Sequence, residues 1–305
     1  MSETVQIGEC TVGAGHRAMI VAEIGINHNG SPEIARNLIA AAARAGCQAV
    51  KFQKRTVDLV YTPAELAAAR TSPLGTTNGA LKHGLEFDCA TYGDLNAYCQ
   101  DFWSMPWFAS CWDERAVDDL LPFDPPCWKI ASASLTDADL LRHHRHVSNK
   151  PIILSTGMST LREIDRAVDI LGTRNLILLH CTSTYPADLN EINLRAIPML
   201  QARYDTPVGF SDHFHGLCTS LAAVTLGACM IEKHITLSRS MWGSDQSTAV
   251  EPRGLTKLVQ DIRAIERAMG DALKHVHESE ELIKAKLRRK DTLYDYANES
   301  QIPAV

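Results

Sequence analysis

The stretch MIVAEIGINHNGSPEIARNLIAAAARAGCQAVKFQ, residues 19–53, decides the fold of this chain. Its start, MIVAEIGI, is apolar except for Glu23 and is typical of a β-strand that is buried on both faces. Ser31 and Pro32 then supply a helix cap and first turn, and an apolar helical pattern follows until Gly46. QAVKFQ is a second apolar run, so the stretch predicts a strand–helix–strand unit with parallel strands.

The same alternation recurs along the chain. Short apolar runs predict further strands near residues 106–110, 128–131, 151–155, 176–181, 207–210 and 229–234. Eight strands with helices between most of them predict the α/β class and a (β/α)8 TIM barrel, with a doubly wound sheet as the structural alternative. We expect an N-terminal hairpin over 1–17, the TIM-barrel catalytic domain over 18–272 and a C-terminal helical tail over 273–305.

Composition narrows the possible partners and the cellular compartment. The 305 residues are 45% hydrophobic and 22% charged, which fits one large domain with a sizeable core. A formal charge of -6 provides no general basic field for nucleic acid or anionic lipid, so the expected partner is a small molecule bound by local charges. The 9 cysteines are an odd number without a CxxC pair, and no signal peptide or membrane span is recognisable, so we expect a reduced, cytoplasmic protein.

The stretch 55–87 breaks the alternation of strands and helices. It contains Pro63, Pro73, Gly75 and Gly79, which disfavour long regular elements. We expect an extended loop over the barrel mouth after the second strand, and a packing excursion is the alternative.

Polar residues close or directly follow the predicted strands. Those at the ends of apolar runs are Glu23, Lys51, Ser110, Lys129, Ser155, His180, His213 and His234. Because a parallel barrel gathers the carboxyl ends of its strands at one mouth, we expect these side chains to converge on one pocket. Gln53, Ser132, Ser183 and Ser211 lie at further strand ends and would add hydroxyl or amide donors. This pattern predicts an enzyme.

An ordered set of motifs resembles the sialic acid synthase (N-acetylneuraminate synthase) family. The motifs are AEIGINHNG at 22–30, VKFQ at 50–53, WKIAS at 128–132, ILSTGM at 153–158, LLHCTSTYP at 178–186, GFSDH at 209–213 and EKHIT at 232–236. The resemblance runs from residue 19 to about residue 270, which is the barrel domain. The C-terminal antifreeze-like domain of many relatives is not seen before Val305, so we expect the 55–87 loop to close the pocket or the sugar to be held differently.

The resemblance implies a reaction, a metal ion and an assembly. Members condense phosphoenolpyruvate with the open-chain aldehyde of an N-acylated hexosamine or related sugar, giving a nonulosonic acid and phosphate by C–O cleavage. This is an aldol-type transferase reaction that forms a C–C bond. A divalent metal ion is implied, with Mn²⁺ first and Mg²⁺ or Co²⁺ as alternatives, and a homodimer or higher homo-oligomer is expected.

The resemblance also assigns substrate contacts. Lys51 and Lys129 would hold the phosphate or carboxylate of phosphoenolpyruvate, because an ammonium at a buried strand end is costly without an anion. A structural ion pair is the alternative for each lysine. The expected substrate-binding residues are Gln53, Ser110, Ser132, Ser155, Ser183, Tyr185, Ser211 and Glu232.

The remaining assignments concern metal binding and proton transfer. His213 and His234 end strands that are adjacent in a closed barrel, so two neutral imidazoles would share one metal ion and leave positions open for the aldehyde. Glu23 would transfer a proton or position water, with an ion pair to Lys51 as its alternative. Asp245 matches an acidic family position and is placed with the catalytic residues, with exposed loop charge as its alternative.

The chain departs from the family pattern at four positions. Cys111, Ser134, Ser183 and Gln246 stand where threonine, a sugar-binding glutamate, asparagine and histidine are frequent in the family. The departures at 111 and 183 put phosphate contacts in doubt, and those at 134 and 246 predict altered sugar specificity.

Two other functions remain open at this stage. One is a 3-deoxy-octulosonate or 3-deoxy-heptulosonate phosphate type of synthase, for which Lys54, Arg55 and Arg70 are possible ligands of the phosphorylated aldose. The other is a non-catalytic, sugar-responsive barrel, which the retained lysines, histidines and Glu23 argue against.

Overall fold

A computed structural model describes residues 4–289 of the chain. Its strands are β1 (Val5–Ile7), β2 (Cys10–Val12), β3 (Met19–Gly25), β4 (Ala49–Lys54), β5 (Ala69–Ser72), β6 (Gly75–Thr77), β7 (Trp107–Cys111), β8 (Trp128–Ile130), β9 (Ile152–Ser155), β10 (Leu176–His180), β11 (Val208–Asp212) and β12 (Met230–His234). Its α-helices are α1 (Pro32–Ala45), α2 (Val57–Val60), α3 (Pro63–Ala67), α4 (Asn78–Leu85), α5 (Cys89–Trp103), α6 (Glu114–Leu120), α7 (Ala138–Val147), α8 (Leu161–Leu171), α9 (Leu189–Ile192), α10 (Ala196–Tyr204), α11 (Cys218–Thr225), α12 (Pro252–Ala268) and α13 (Glu278–Leu287). Short 3-10 turns occupy Leu121–Phe123 and Ser132–Ser134.

Eight parallel strands close into a barrel in the order β3, β4, β7, β8, β9, β10, β11, β12, and β12 pairs back with β3. Each barrel strand therefore lies beside the barrel strand that follows it in sequence. The predicted TIM barrel is confirmed, and the doubly wound alternative is wrong because the sheet has no open edge.

Side chains alternate between the barrel interior and the surrounding helices. In β3, Met19 and Val21 pack in the inner apolar cluster, whereas Ile20 and Ala22 pack in the cluster that includes the helices. The β1–β2 hairpin is also present as predicted, and its buried Val5 joins the inner cluster. The hairpin therefore fills the barrel interior from the end at which the strands begin.

The connecting helices begin and end at the residues that the sequence pattern indicates. The Ser31 side chain accepts a hydrogen bond from the backbone of Ile34 at the start of α1, and Gly46 ends that helix at φ +87°. In α8, Thr160 and Glu163 form a capping box. No helix within residues 4–289 combines the length and the apolar character needed to cross a membrane.

The stretch 55–87 is more regular than the expected extended loop. It contains α2, α3, the antiparallel β5–β6 hairpin and α4. Residues 70–73, 81–82 and 85 of this stretch line one pocket together with Ile26 and Asn29 after β3 and residues 242–244 after β12. It thus packs on loops at the carboxyl ends of barrel strands, but none of its residues lines the cavity described below.

The chain divides into two compact units, residues 1–268 and 269–305. The first contains the hairpin and the barrel with its helices. The second contains α13, whose residues lie within the predicted helical tail, and residues 290–305 of that tail lie outside the described residues.

A glycine pair tests the packing of the 55–87 stretch against the barrel. Gly30 has φ +75°, and an added Cβ would lie 2.1 Å from the backbone oxygen of Gly84 in α4. We expect Gly30→Ala to lower the free energy of unfolding by roughly 3 kcal/mol, since it adds a backbone clash to positive-φ strain. Urea denaturation measures the change.

Gly15 supplies the matched control, because it has φ +79° and nothing within 4 Å of an added Cβ. Gly15→Ala should cost only about 1 kcal/mol, the price of the backbone conformation alone. Equal losses for the two variants would contradict the close contact between Gly30 and α4.

Candidate active site

A cavity of about 180 Å³ lies at the carboxyl ends of the barrel strands. Its lining residues are Glu23, Lys51, Gln53, Ser110, Trp112, Lys129, Ala131, Ser132, Ala133, Ser155, Met158, Ser183, Tyr185, Ser211, His213, Glu232 and His234. The structure therefore brings together all the predicted site residues except Asp245, and all the polar residues expected at strand ends except His180. The expectation of convergence on one pocket holds for this set.

Strand alternation explains why these polar residues meet. Glu23 is in phase with the inward-facing Val21, and Lys51 is in phase with the inward-facing Ala49. Their strands are paired so that Glu23 lies beside Lys51 on one side and beside His234 on the other. The polar side chains therefore occupy the carboxyl-terminal inward positions of strands whose earlier inward positions are apolar.

Lys51 lies at the centre of a buried charge cluster. Its Nζ is 3.0 Å from Glu23 Oε2 and 3.5 Å from Glu232 Oε1, and it donates a hydrogen bond of 2.9 Å to Ser110 Oγ. Ser211 Oγ donates to the same Glu232 oxygen at 2.9 Å. The ion pair between Glu23 and Lys51 that the sequence offered as an alternative is present, and it lies inside the cavity.

Lys129 differs from Lys51 in its partners. Its Nζ donates to Ser155 Oγ at 2.6 Å and to the Ile130 carbonyl at 3.1 Å. Among the described residues, no carboxylate forms an ion pair with it, although its side chain is only 1% exposed. Burial lowers the pKa of Lys129. An anion from solution would satisfy this ammonium.

The two carboxylates beside Lys51 differ in pKa. Burial raises the pKa of Glu23 to about 7, and the charge of Glu232 adds to that effect although Lys51 opposes it. Burial also acts to raise the pKa of Glu232, but Lys129 and Lys51 outweigh it and lower the pKa to about 2. Glu232 is thus a permanent anion, whereas Glu23 can gain or lose a proton near neutral pH.

The two histidines present neutral imidazoles to each other. His213 Nδ1 lies 2.7 Å from the Thr182 carbonyl, which can only accept, so Nδ1 carries the proton and Nε2 accepts from the Tyr185 hydroxyl at 3.2 Å. Burial, reinforced by His234, lowers the pKa of His213 to about 4, and burial likewise lowers that of His234. The ring centroids are 5.8 Å apart.

These imidazoles fit a shared metal ion as nitrogen ligands. The Nδ1 atom of His234 is buried without a hydrogen-bond partner, which leaves one lone pair or proton of this ring unsatisfied. Within residues 4–289, no set of three or more His, Cys, Asp or Glu residues is positioned to hold a metal. The protein would thus supply two ligands and leave the other positions to substrate and water.

A glycine creates room for two hydroxyls of the cavity. A Cβ at Gly157 would lie 2.2 Å from Ser183 Oγ and 2.9 Å from Ser132 Oγ. The backbone nitrogen of Gly157 donates to Ser132 Oγ at 3.0 Å. Only glycine lets the chain pass this close to both serines. The ILSTGM motif therefore forms part of the cavity wall in addition to part of strand β9.

Asp245 lies outside the cavity lining. Its carboxylate accepts a hydrogen bond of 2.6 Å from Ser244 Oγ, and its charge acts on the nearby His234 and Tyr185. The adjacent Gln246 is fully buried and donates to Asn27 O at 3.1 Å. The loop after β12 is therefore fastened to the loop after β3 in a position that keeps Asp245 at the rim.

His180 was expected in the pocket, and that expectation is wrong. Its inward neighbour is Leu179, so His180 points outward and its Nε2 bonds the Ile192 carbonyl at 2.6 Å. The same alternation turns Cys111 outward, where its thiol meets the Ala116 carbonyl. Cys111 therefore cannot alter a phosphate contact.

Two other family departures also lie outside the cavity. Ser134 is buried in a 3-10 turn, and Gln246 bonds backbone and side-chain atoms of the loop after β3. Neither side chain lines the cavity, and the altered sugar specificity predicted from the absence of a glutamate and a histidine at these positions stays a prediction. Ser183 alone among the four departures lines the cavity.

Sequence reasoning missed Trp112 and Met158. Both line the cavity, one directly after β7 and the other after β9. The available signal was their position immediately beyond strand ends, but apolar residues there are indistinguishable from core residues in the sequence.

The chain is similar to several known proteins. A model of the NeuB family matches residues 38–274. The N,N'-diacetyllegionaminic acid synthase of Campylobacter jejuni is 37% identical over 273 residues, covering 87% of this chain and 81% of that protein. The N-acetylneuraminate-9-phosphate synthase of Homo sapiens is 35% identical over 271 residues, covering 87% and 75%. The crystal structure of N-acetylneuraminic acid synthetase from Leptospira borgpetersenii with citrate has a TM-score of 0.82 at 31% identity, covering 95% of this chain and 99% of that one.

The raised pKa of Glu23 predicts a pH-dependent stability. Between pH 4.5 and 7, the folded protein binds more protons at Glu23 than the unfolded chain, so this group makes the free energy of unfolding fall as pH rises. Glu23→Gln removes that fall. In metal-free protein, the stability of the variant relative to wild type should therefore rise by on the order of 2 kcal/mol between pH 4.5 and 8.

Glu163→Gln is the control of opposite sign. The backbone hydrogen bond from Thr160 lowers the pKa of this exposed carboxyl, so its contribution is present at neutral pH and is lost on acidification. The relative stability of Glu163→Gln should fall as pH rises. Urea denaturation measures Glu23→Gln at pH 4.5 and 8, and Glu163→Gln between pH 8 and about pH 3, because a carboxyl of lowered pKa titrates mainly below 4.5. Parallel pH profiles for Glu23→Gln and wild type would contradict the raised pKa.

Proposed function

The chain belongs to the NeuB family, and from this we propose that it joins phosphoenolpyruvate to the open-chain aldehyde of an N-acylated hexosamine or related sugar, giving a nonulosonic acid and phosphate. The synthases among its relatives carry names of this reaction class. One observation supports the proposal beyond the family. One cavity is lined by an ammonium that forms no ion pair with a carboxylate of residues 4–289, by a carboxyl of raised pKa and by two neutral imidazoles.

Lys129 is the proposed main anchor of phosphoenolpyruvate. Lys51 is already paired with two carboxylates, whereas the partners of Lys129 in the described part of the chain are a hydroxyl and a carbonyl. Hydroxyls of Ser132, Ser155 and Ser183 lie on the same wall and can donate to phosphate or carboxylate oxygens. The anion would neutralise a charge that is otherwise costly to bury.

His213 and His234 would hold a divalent metal ion, which we propose to be Mn²⁺ with Mg²⁺ or Co²⁺ as alternatives. Such an ion supplies Lewis-acid polarisation of the aldehyde oxygen. Low pKa values keep both imidazoles neutral, the form in which they bind metals. The hydrogen bond from His213 Nδ1 to Thr182 fixes the ring with Nε2 toward Tyr185, and a metal ion bound at Nε2 would replace the hydrogen bond from the Tyr185 hydroxyl.

Glu23 is the proposed proton acceptor. As carbon 3 of phosphoenolpyruvate bonds the aldehyde carbon, water adds to carbon 2, and the resulting tetrahedral centre loses phosphate through the bond between carbon 2 and oxygen. A carboxyl with a pKa near 7 can take the proton from that water and return one to the sugar oxygen. The hydrogen bond from Gln53 Nε2, 3.0 Å, holds the carboxylate in place.

The residues expected to bind the phosphate of a phosphorylated aldose do not line the cavity. Arg55 pairs with Glu86, Lys54 donates to the Phe87 carbonyl, and Arg70 lies on exposed β5. None of the three lines the cavity. Other residues would have to bind a phosphate group on the sugar. A comparison of sugars with and without a terminal phosphate therefore tests this alternative.

We also propose that the protein works in a reducing cytoplasm and as a homodimer or higher oligomer. All 9 cysteines are free, and six of them are buried, which suits a compartment without disulfide formation. Size-exclusion chromatography with light scattering would test the assembly.

Turnover can be tested with a panel of N-acylated hexoses, with and without a terminal phosphate, supplied with phosphoenolpyruvate and Mn²⁺. We expect phosphate release with one class of N-acylated hexose. Lys129→Met should lower kcat/KM at least about 10³-fold, since it removes the main anion contact. Lys257→Met, on the exposed face of α12, should match wild type.

An isotope experiment tests which bond is cleaved. Oxygen-18 placed in phosphoenolpyruvate between carbon 2 and phosphorus must leave with phosphate, and its retention in the sugar acid would contradict the mechanism.

Metal binding can be measured without turnover. Equilibrium dialysis should show about one Mn²⁺ per chain in wild type, and at least about tenfold weaker binding in His213→Ala and in His234→Ala. His143→Ala, which removes a histidine paired with Asp118 outside the cavity, should bind as wild type does. A chelator should abolish turnover and Mn²⁺ should restore it. Unchanged binding in both cavity variants would exclude this metal site.

A further inference from the structure

A salt bridge closes the base of the 55–87 stretch. Arg55, directly after β4, donates its backbone nitrogen to Glu86 Oε2 and its Nη1 to Glu86 Oε1, both at 3.1 Å. Arg55 is 7% exposed, and its guanidinium carbon lies 4.5 Å from the ring centre of Trp112. The first residue of the stretch is therefore fixed to one of its last residues.

The same guanidinium reaches toward the cavity. Its Nη2 donates to Gln53 Oε1, and Gln53 Nε2 donates to Glu23 Oε1 at 3.0 Å. A continuous chain of hydrogen bonds thus joins Glu86, Arg55, Gln53 and Glu23. Arg55 does not line the cavity, so it can affect the reacting groups only through another residue.

Donor and acceptor chemistry permits one arrangement of this chain. A guanidinium can only donate, and an ionised carboxylate can only accept. The Gln53 amide has one end of each kind, so its oxygen must face Arg55 and its NH₂ must face Glu23. Without Arg55, the amide could turn over and place its oxygen against the carboxylate, which would repel the ionised form.

The backbone leaves little space for other positions of this pair. An added Cβ at Gly25 would lie 2.9 Å from Glu23 Oε1 and 3.1 Å from Gln53 Nε2. The chain passes directly over the hydrogen bond, so side-chain movement on that side is blocked. The amide orientation then depends on what faces its far end, which is Arg55.

We infer that Arg55 is a positioning residue that holds the Gln53 amide in the orientation required to present Glu23 to the reacting groups. This inference rests on the proposed function. It also gives the 55–87 stretch a role in the reaction, because Glu86 at its end holds the guanidinium in place.

A double-mutant cycle tests the inference. Arg55→Lys keeps a positive charge for Glu86 but lacks the second donor arm needed to reach Gln53. We expect Arg55→Lys to lower kcat roughly tenfold with KM for phosphoenolpyruvate changed less than about twofold. In a Gln53→Ala background, Arg55→Lys should have no further effect beyond about twofold. Equal losses in both backgrounds, or full activity of Arg55→Lys, would overturn the inference.

The hydrogen bond between Arg55 and Gln53 can also be observed without turnover. The side-chain amide resonance of Gln53, assigned by its disappearance in Gln53→Ala, should shift in Arg55→Lys. Arg203→Lys changes an exposed arginine that pairs with Asp165 and is the matched control, with no shift and no loss of kcat expected. An unmoved Gln53 resonance in Arg55→Lys would also overturn the inference. Absence of turnover by wild type with every aldose would instead count against the proposed function.

Discussion

In this barrel, every second side chain of each strand points to the interior, and the interior accepts polar groups only at its carboxyl end. Met19 and Val21 precede Glu23 on the inward face of β3, and Ile153 precedes Ser155 on that of β9. The other end is filled by apolar residues of the barrel and of the β1–β2 hairpin. The inward-facing polar side chains therefore form one layer at the carboxyl ends of the strands, where they lie close together.

Charges in this layer are stabilised mainly by one another. Lys51 links Glu23 and Glu232, and Lys129 acts on Glu232 from an adjacent part of the wall. Burial alone would raise the pKa of both carboxyls, yet the two lysines lower that of Glu232 while Glu23 remains near 7. Removing one member would leave the others buried without compensation. The same arrangement that makes the site costly to build separates a carboxylate that stays ionised from a carboxyl that can gain or lose a proton near neutral pH.

Much of the fold and of the site follows from the sequence because strand ends are visible as polar residues after apolar runs. Lys51 in VKFQ and Lys129 in WKIAS are signals of this kind. The face to which a residue points is harder to read, since LILLH is apolar throughout before His180 and gives no alternation. The proposed metal ion and reaction come from the motif resemblance, because residue patterns alone do not indicate them.

Contacts between distant residues account for most of what the sequence could not show. Arg55 and Glu86 are 31 positions apart within a stretch rich in turn-forming residues, and no local pattern links them. Gln246 donates to the Asn27 carbonyl across 219 positions and so joins the loops after β12 and β3, a contact that no local pattern indicates. Such contacts depend on barrel closure, which brings the first and last strands together.

The proposed binding of a metal ion and phosphoenolpyruvate in one cavity is tested most directly by a crystal structure of the protein with phosphoenolpyruvate and Mn²⁺, recorded with anomalous diffraction at the manganese edge. It predicts one manganese peak within bonding distance of His213 and His234, and a phosphate or carboxylate oxygen of phosphoenolpyruvate within hydrogen-bond distance of Lys129 Nζ. Manganese bound away from both histidines, or phosphoenolpyruvate bound outside this cavity, would contradict it.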